Sequence, residues 1–230
     1  MKKKLLRALT LAQLRQFIGN NRTIRRFAER HSLVYFGTVT VDDDSRLVKG
    51  HTVSRTHRDQ HYCVGTAFGR DMVFLQRSDL LYSSTHKHKE RYDWNILALD
   101  LSERVALPHA YIEGKNRHGH AFYEALDMKH RDLAEIPTHL LVGYDPLFAQ
   151  KFTPRTSLAH AIELPSTLTP LIAATLAHHF SMFDYEWHDD MLYIYYLSSR
   201  PTLDRLDHML KCGVWLAGEL ENSQQPRENR

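Results

Sequence analysis

Only two cysteines occur in 230 residues, Cys63 and Cys212, and no CxxC spacing joins them. That argues against a cysteine-based zinc site and fits a reducing compartment. Glycine and proline are sparse, at 10 and 8 residues, which rules out collagenous and low-complexity readings. No apolar run approaches the roughly 20 residues that span a bilayer. The start, MKKKLLRALTLAQLRQFIGNNR, is basic but has neither an uninterrupted apolar stretch nor a small-residue cleavage site. It predicts no secretion signal, and a cytoplasmic location is the expectation. The motifs GxSxG, SxxK and HExxH are missing, so nucleophilic and zinc-protease chemistry lack their usual signatures. GxxxxGKS/T and GxGxxG are missing as well, leaving nucleotide binding without support.

What is present is an ordinary globular balance, 43% apolar and 25% charged, in a chain long enough to bury a core without staples. Charge is distributed unevenly. Residues 1–31 hold Lys2, Lys3, Lys4, Arg7, Arg15, Arg22, Arg25, Arg26 and Arg30 against Glu29 alone. That segment carries +8, so a whole-chain charge of +3 leaves −5 on the remainder. Thr10 and Gln13 fit capping-box spacing. Leu14, Phe17 and Ile18, then Ile24, Phe27 and Ala28, form an apolar stripe between arginines. The pattern predicts an amphipathic helix over 11–30, kinked near Gly19.

The period then changes to two. LVYFGTVTV (33–41), LVKGHTVS and QHYCVGTAF predict strands, Gly69 a tight turn, and MVFLQRS (72–78) another strand. HKHKERYD (86–93) reads as a charged loop. WNILALDLS (94–102) is nearly continuous and apolar, as in a strand buried on both faces. HAYIEG (109–114) predicts a short strand and HGHAFYEALDMKH (118–130) a short helix. Thr169-Pro170 opens a helix over 170–180. FDYEWHDDMLYIYYLSS predicts a hairpin turning at Asp189-Asp190, with Phe183, Tyr185 and Trp187 inward and Asp184 and Glu186 outward. Pro201 opens a last helix. The fold class is α+β: an antiparallel β-sheet with N-terminal, central and C-terminal helices packed against it. The expected organisation is a basic helix over 1–31, one domain over 32–222 with possible sub-lobes 32–130 and 131–222, and a disordered tail over 223–230.

KGHTVSRTHRDQHYCVG (49–65) gathers His51, His57 and His61. Thr52, Val53, Tyr62 and Val64 favour strand over helix, and in a strand four residues span about 13 Å, which separates His57 from His61. A hairpin with its tip at 55–57 would place His51 opposite His61, with Cβ atoms about 5 Å apart. A one-residue slip would undo that pairing. His51 and His61 are therefore the candidate divalent-metal ligands. The other reading is a polar hairpin whose loop Asp59 closes. Tyr193, Tyr195 and Tyr196 suit either sheet packing or base stacking. The basic residues Lys2, Lys3, Lys4, Arg7, Arg15, Arg22, Arg25 and Arg26 suit contact with a protein partner or an anionic membrane, with nucleic acid a lesser use of the same charge.

Six stretches resemble an uncharacterised bacterial domain-of-unknown-function family: FAERHSLVYFG (27–37), VGTAFGRDMVFLQRSDLL (64–81), WNILALDL (94–101), LPHAYIEGK (107–115), YDPLFAQKFTPRTSLAHAIELPSTLTPLIAATL (144–176) and DDMLYIYY (189–196). The resemblance covers roughly residues 27–200. It implies a helix entering a strand, a hairpin and an apolar strand, in proteins often anchored by preceding transmembrane helices. It attaches no catalytic residues. The leading expectation is a non-enzymatic ligand- or partner-binding module with no cofactor. The alternatives are a metal-dependent enzyme using His51 and His61, and peripheral membrane or RNA binding through the basic helix.

Overall fold

Alternation of side chains along the strands lines two faces of one sheet, and both faces are covered. The computed structural model describes residues 11–37, 57–101 and 107–224. Among these, the chain opens with α1 (Leu11–Arg30) and β1 (Val34–Gly37), then the long strands β2 (Arg58–Ala67), β3 (Arg70–Ser83) and β4 (His88–Asp100). Next come β5 (Ala110–Gly114), α2 (His120–Lys129), β6 (Leu133–Glu135), α3 (Pro146–Lys151) and β7 (Phe152–Ser157). The last part holds α4 (Leu164–Thr167), α5 (Pro170–His179), β8 (Asp184–His188), β9 (Met191–Leu197) and α6 (Leu203–Gln224). The nine strands form one sheet in the order β1-β2-β3-β4-β9-β8-β5-β7-β6, with every pairing antiparallel. The hairpin β8–β9 sits between β4 and β5, so the sheet runs unbroken across the two expected sub-lobes.

One cross-strand row runs Phe74, Leu97, Ile194, Tyr185 and Ile112. These residues share a core with Ile24, Phe27 and Ala28 of α1 and Leu206, Met209 and Leu210 of α6. Helix α6 lies so close that a Cβ at Gly213 would stand 2.5 Å from the Leu99 side chain. The alternate row runs Val73, Ala98, Tyr193, Glu186, Tyr111 and Arg155. It lies on the face that α2 covers with Ala121, Phe122, Ala125 and Leu126.

Local chemistry explains the boundaries. Asp145 accepts from the Leu147 amide at 2.8 Å to start α3, and Thr169 accepts from the Ile172 amide at 3.3 Å to start α5, both as N-caps. The β2–β3 turn takes two residues, Phe68 and Gly69, with φ of 55° and 76°. A two-residue loop with both central φ values positive matches the twist of its strands and favours glycine at the second position.

Four expectations change. HKHKERYD is not a loop: β4 begins at His88 and pairs Lys89 with Tyr82 and Arg91 with Leu80. Its charges alternate with residues facing α2, so a polar strand looked like a loop. Helix α1 runs through Gly19 without a break, because packing of its later turns outweighs one glycine. Asp59 serves the sheet, and residues 55 and 56 at the tip of its expected loop fall outside the described residues. Asp59 takes two hydrogen bonds from Arg77 across the β2–β3 pair, at 2.6 and 2.5 Å. Helix α6 continues to Gln224, beyond the expected start of the tail. The strand expected over LVKGHTVS and the cap at Thr10 fall outside the described residues.

Phe27 is 1% exposed and stacks 5.4 Å from Phe74. Phe27→Ala should lower unfolding free energy by about 3–5 kcal/mol, measured from urea midpoints. A loss under about 1 kcal/mol would mean that α1 is not docked on the sheet.

Candidate functional site

Helix α1 carries its two roles on opposite sides. Ile24, Phe27 and Ala28 are fully buried, whereas Arg22, Arg25, Arg26 and Arg30 are exposed. The helix is clamped at its end, where Arg30 and His31 both bond Asp207 of α6. Near its middle Asn20 donates to the Gln76 side chain at 3.1 Å and to the Ser199 carbonyl at 2.8 Å. The Arg25 guanidinium lies 4.8 Å from the centre of the Tyr35 ring. The sheet therefore holds a row of cations facing outward. Arg15 belongs to the same helix; Lys2, Lys3, Lys4 and Arg7 lie outside the described residues.

The histidine cluster resolves differently. His61 is 2% exposed and sits at φ 57°, where the β2–β3 register shifts between Gln60 and Cys63. A bulge of this kind re-aims a side chain. Here it brings His61 Nδ1 within 2.7 Å of the Tyr35 hydroxyl. Burial, aided by the charge of Arg25, pulls the His61 imidazole down to about 4, so it is neutral at pH 7. His57 lies 3.7 Å from Asp59, which is already held by Arg77. His51 is outside the described residues. Among the described residues no group of three or more His, Cys, Asp or Glu is placed to hold a metal ion. Burial pushes the neighbouring Cys63 thiol up to about 12, so it is not a ready nucleophile.

The larger surprise is a charged layer beneath α2. Asp184 and Glu186 are each 1% exposed, not on an outward face. Asp184 takes hydrogen bonds from the Gly114 amide at 2.7 Å and Arg117 at 2.8 Å, with His118 at 2.9 Å. Burial raises its pKa, but His118, Arg117 and the Gly114 amide together outweigh burial and hold it below the usual range. Glu186 is bonded to His109 at 2.8 Å and accepts from the Tyr195 hydroxyl at 2.6 Å. Glu113 faces Arg155 at 3.3 Å, and burial nonetheless raises its pKa. Tyr193 and Tyr195 are each 1% exposed, which assigns them to this layer and removes them as base-stacking surfaces. The warning was in the sequence: WNILALDL and MLYIYYL are apolar at consecutive positions, so the strand paired with them must also have two buried faces.

No family model matches the chain, and no curated protein matches it. Among solved structures, the mycobacterial trehalose monomycolate transport factor A is similar, with a TM-score of 0.57 and 10% sequence identity. The match covers 92% of this chain and 99% of that one. The likeness is one of fold. Among the described residues no helix is long and apolar enough to cross a membrane.

Two predictions follow from the buried groups. Removing the Asp184 carboxylate strands Arg117 and His118, so Asp184→Ala should cost about 3–5 kcal/mol in a urea melt. A near-neutral result would show that the layer is wet and weakly coupled. Burial pulls His61 and His130 down to about 4 from an ordinary 6.5. The unfolded chain therefore binds these protons more readily. Their contribution to stability should be full above about pH 6.5 and decline toward pH 4, at up to about 1.4 kcal/mol per pH unit for each imidazole. Urea midpoints between pH 7 and 4.5 should show this slope, and His61→Gln/His130→Gln should flatten it.

Proposed function

We propose that this chain is a non-enzymatic docking module that holds an anionic membrane surface through the outward basic side of α1. One observation carries the reading: the later turns of α1 place Ile24, Phe27 and Ala28 in the protein's own core and leave Arg22, Arg25 and Arg26 exposed. A free amphipathic helix binds a membrane by burying its apolar face in lipid. Here Ile24, Phe27 and Ala28 are taken up by the core, so attachment through these turns is electrostatic, with the domain as a rigid platform. The basic residues ahead of α1 add to the same charge, each worth about 1 kcal/mol near an anionic surface. Attachment of this kind is reversible and salt-sensitive. It fits a peripheral protein on the cytoplasmic face of the inner membrane. The similar chain is a transport factor for trehalose monomycolate, which supports a binding role over a catalytic one.

The full chain should co-sediment with vesicles containing phosphatidylglycerol at low salt and not with pure phosphatidylcholine vesicles. Arg22→Glu/Arg26→Glu should weaken the binding about tenfold or more while leaving the thermal midpoint nearly unchanged. Equal binding by this variant, or binding insensitive to salt, would overturn the proposal.

A further inference from the structure

Among the described residues, β3 and β4 continue beyond the sheet as a two-stranded ribbon. On β3, pairing with β2 ends at Ser78, and on β4, pairing with β9 ends at Trp94, yet β3 and β4 stay paired to Ser83 and His88. One side of this ribbon is buried: Asp79, Leu81 and Tyr92 lie at 2, 4 and 5% exposure on the side facing α2. The other side is open. Leu80 and Tyr82 are 50% and 54% exposed, unlike the buried apolar residues that precede them on β3. Their cross-strand partners are Arg91 and Lys89. Beyond them Lys87 is exposed in the turn that joins the strands.

The ribbon end is fixed rather than loose. Glu124 of α2 accepts hydrogen bonds from the Ser83 hydroxyl at 2.6 Å, the Ser84 amide at 2.7 Å, the Ser84 hydroxyl at 2.9 Å and the Thr85 amide at 3.4 Å. His86 stacks on His120 with ring centres 4.2 Å apart. Two apolar side chains are thus presented at a set position with cations beside them. The ribbon also shares an end of the molecule with the start of α1. Phe27 lies against Phe74 and Asn20 against Gln76, so α1, followed toward its first residue, advances along β3 toward Ser83. Leu80 and Tyr82 lie on the sheet face that α1 covers, since they fall at every second residue in phase with Phe74 and Gln76.

We propose that the open side of this ribbon is a second contact for the same anionic lipid surface, with Leu80 and Tyr82 entering the headgroup region and Lys87 and Lys89 meeting lipid phosphates, while Arg91 is held by Asp93 at 2.9 Å. The inference rests on the membrane reading of α1 and adds an apolar anchor to it. Electrostatic attachment alone is weak and reversible, and a second signal of a different kind is what makes peripheral binding stable. A tyrosine suits that depth because its ring is apolar and its hydroxyl stays wet. Charge complementarity selects lipid phosphate as the occupant: exposed Lys89 stands directly opposite Tyr82, and exposed Lys87 lies just beyond it.

The test uses the full chain carrying Leu80→Trp and vesicles of phosphatidylglycerol and phosphatidylcholine with brominated acyl chains. In the bound state, fluorescence of the variant should be quenched beyond that of the parent protein, whose Trp94 and Trp187 are buried and whose half-buried Trp215, stacked on Phe180, sets the background. Leu80→Ser/Tyr82→Ser should weaken vesicle binding about tenfold, with the thermal midpoint retained because both positions are open. If the chain binds vesicles but Leu80→Trp shows no added quenching, and the serine variant binds normally, the ribbon proposal fails and the α1 reading stands. If the parent protein does not bind anionic vesicles at all, both fail.

Discussion

Asp184 cannot be buried alone. Placing a carboxylate in the interior costs several kcal/mol unless charge and hydrogen bonds are returned to it, and here Arg117, His118 and the Gly114 amide return them. That set ties three elements together: β8, the end of β5, and the segment leading into α2. With Glu186 bonded to His109 and Tyr195, it seats β8 and β9 in the middle of the sheet and brings α2 down on one face. The opposite face is then free for α1 and α6, whose packing is mainly apolar apart from the Asn20–Gln76–Asn95 hydrogen bonds. The sheet thus has an ionic side and an oily side. Ionic contacts set register and orientation, and the apolar contacts supply most of the burial.

This division bears on function through α1. In the turns from Arg22 on, the apolar residues of α1 are spent on the oily side, and Arg22, Arg25 and Arg26 face outward. The β3–β4 ribbon reverses that arrangement. Its inner side is held by α2 and the Glu124 hydrogen bonds, and its outer side keeps Leu80 and Tyr82 in the open. Cations on a fixed helix and an apolar pair on a fixed ribbon are complementary halves of one peripheral attachment, and the direction of α1 along β3 brings them to the same end.

Much of the fold was legible because period and punctuation agreed. Ile24, Phe27 and Ala28 marked the buried stripe of α1, Thr169-Pro170 marked the start of α5, and Asp189-Asp190 marked the hairpin turn. Strands were misread where polarity stood in for structure. In HKHKERYD every second residue faces α2, but Glu90 and His88 satisfy one another at 2.7 Å instead of being apolar. The acidic hairpin failed for a related reason. Alternation of charge with aromatics normally means one wet face, and only the all-apolar runs on its sheet neighbours reveal that both sides are covered. For His61, local residues gave strand correctly but could not announce the bulge that turns its ring toward Tyr35. The basic helix was legible in its charge and its helical apolar spacing, whereas the apolar half of the attachment was not, because Leu80 and Tyr82 look like any other strand residues until the ribbon is seen to extend past β2 and β9.

The most direct measurement is hydrogen–deuterium exchange on the full chain with and without anionic vesicles. Slowed exchange is expected along α1 as far as Arg26 and along residues 80–91, with β5, β8 and α2 unchanged. Protection spread over the charged layer beneath α2, or none at α1 and the ribbon when the protein is vesicle-bound, would contradict the proposed attachment.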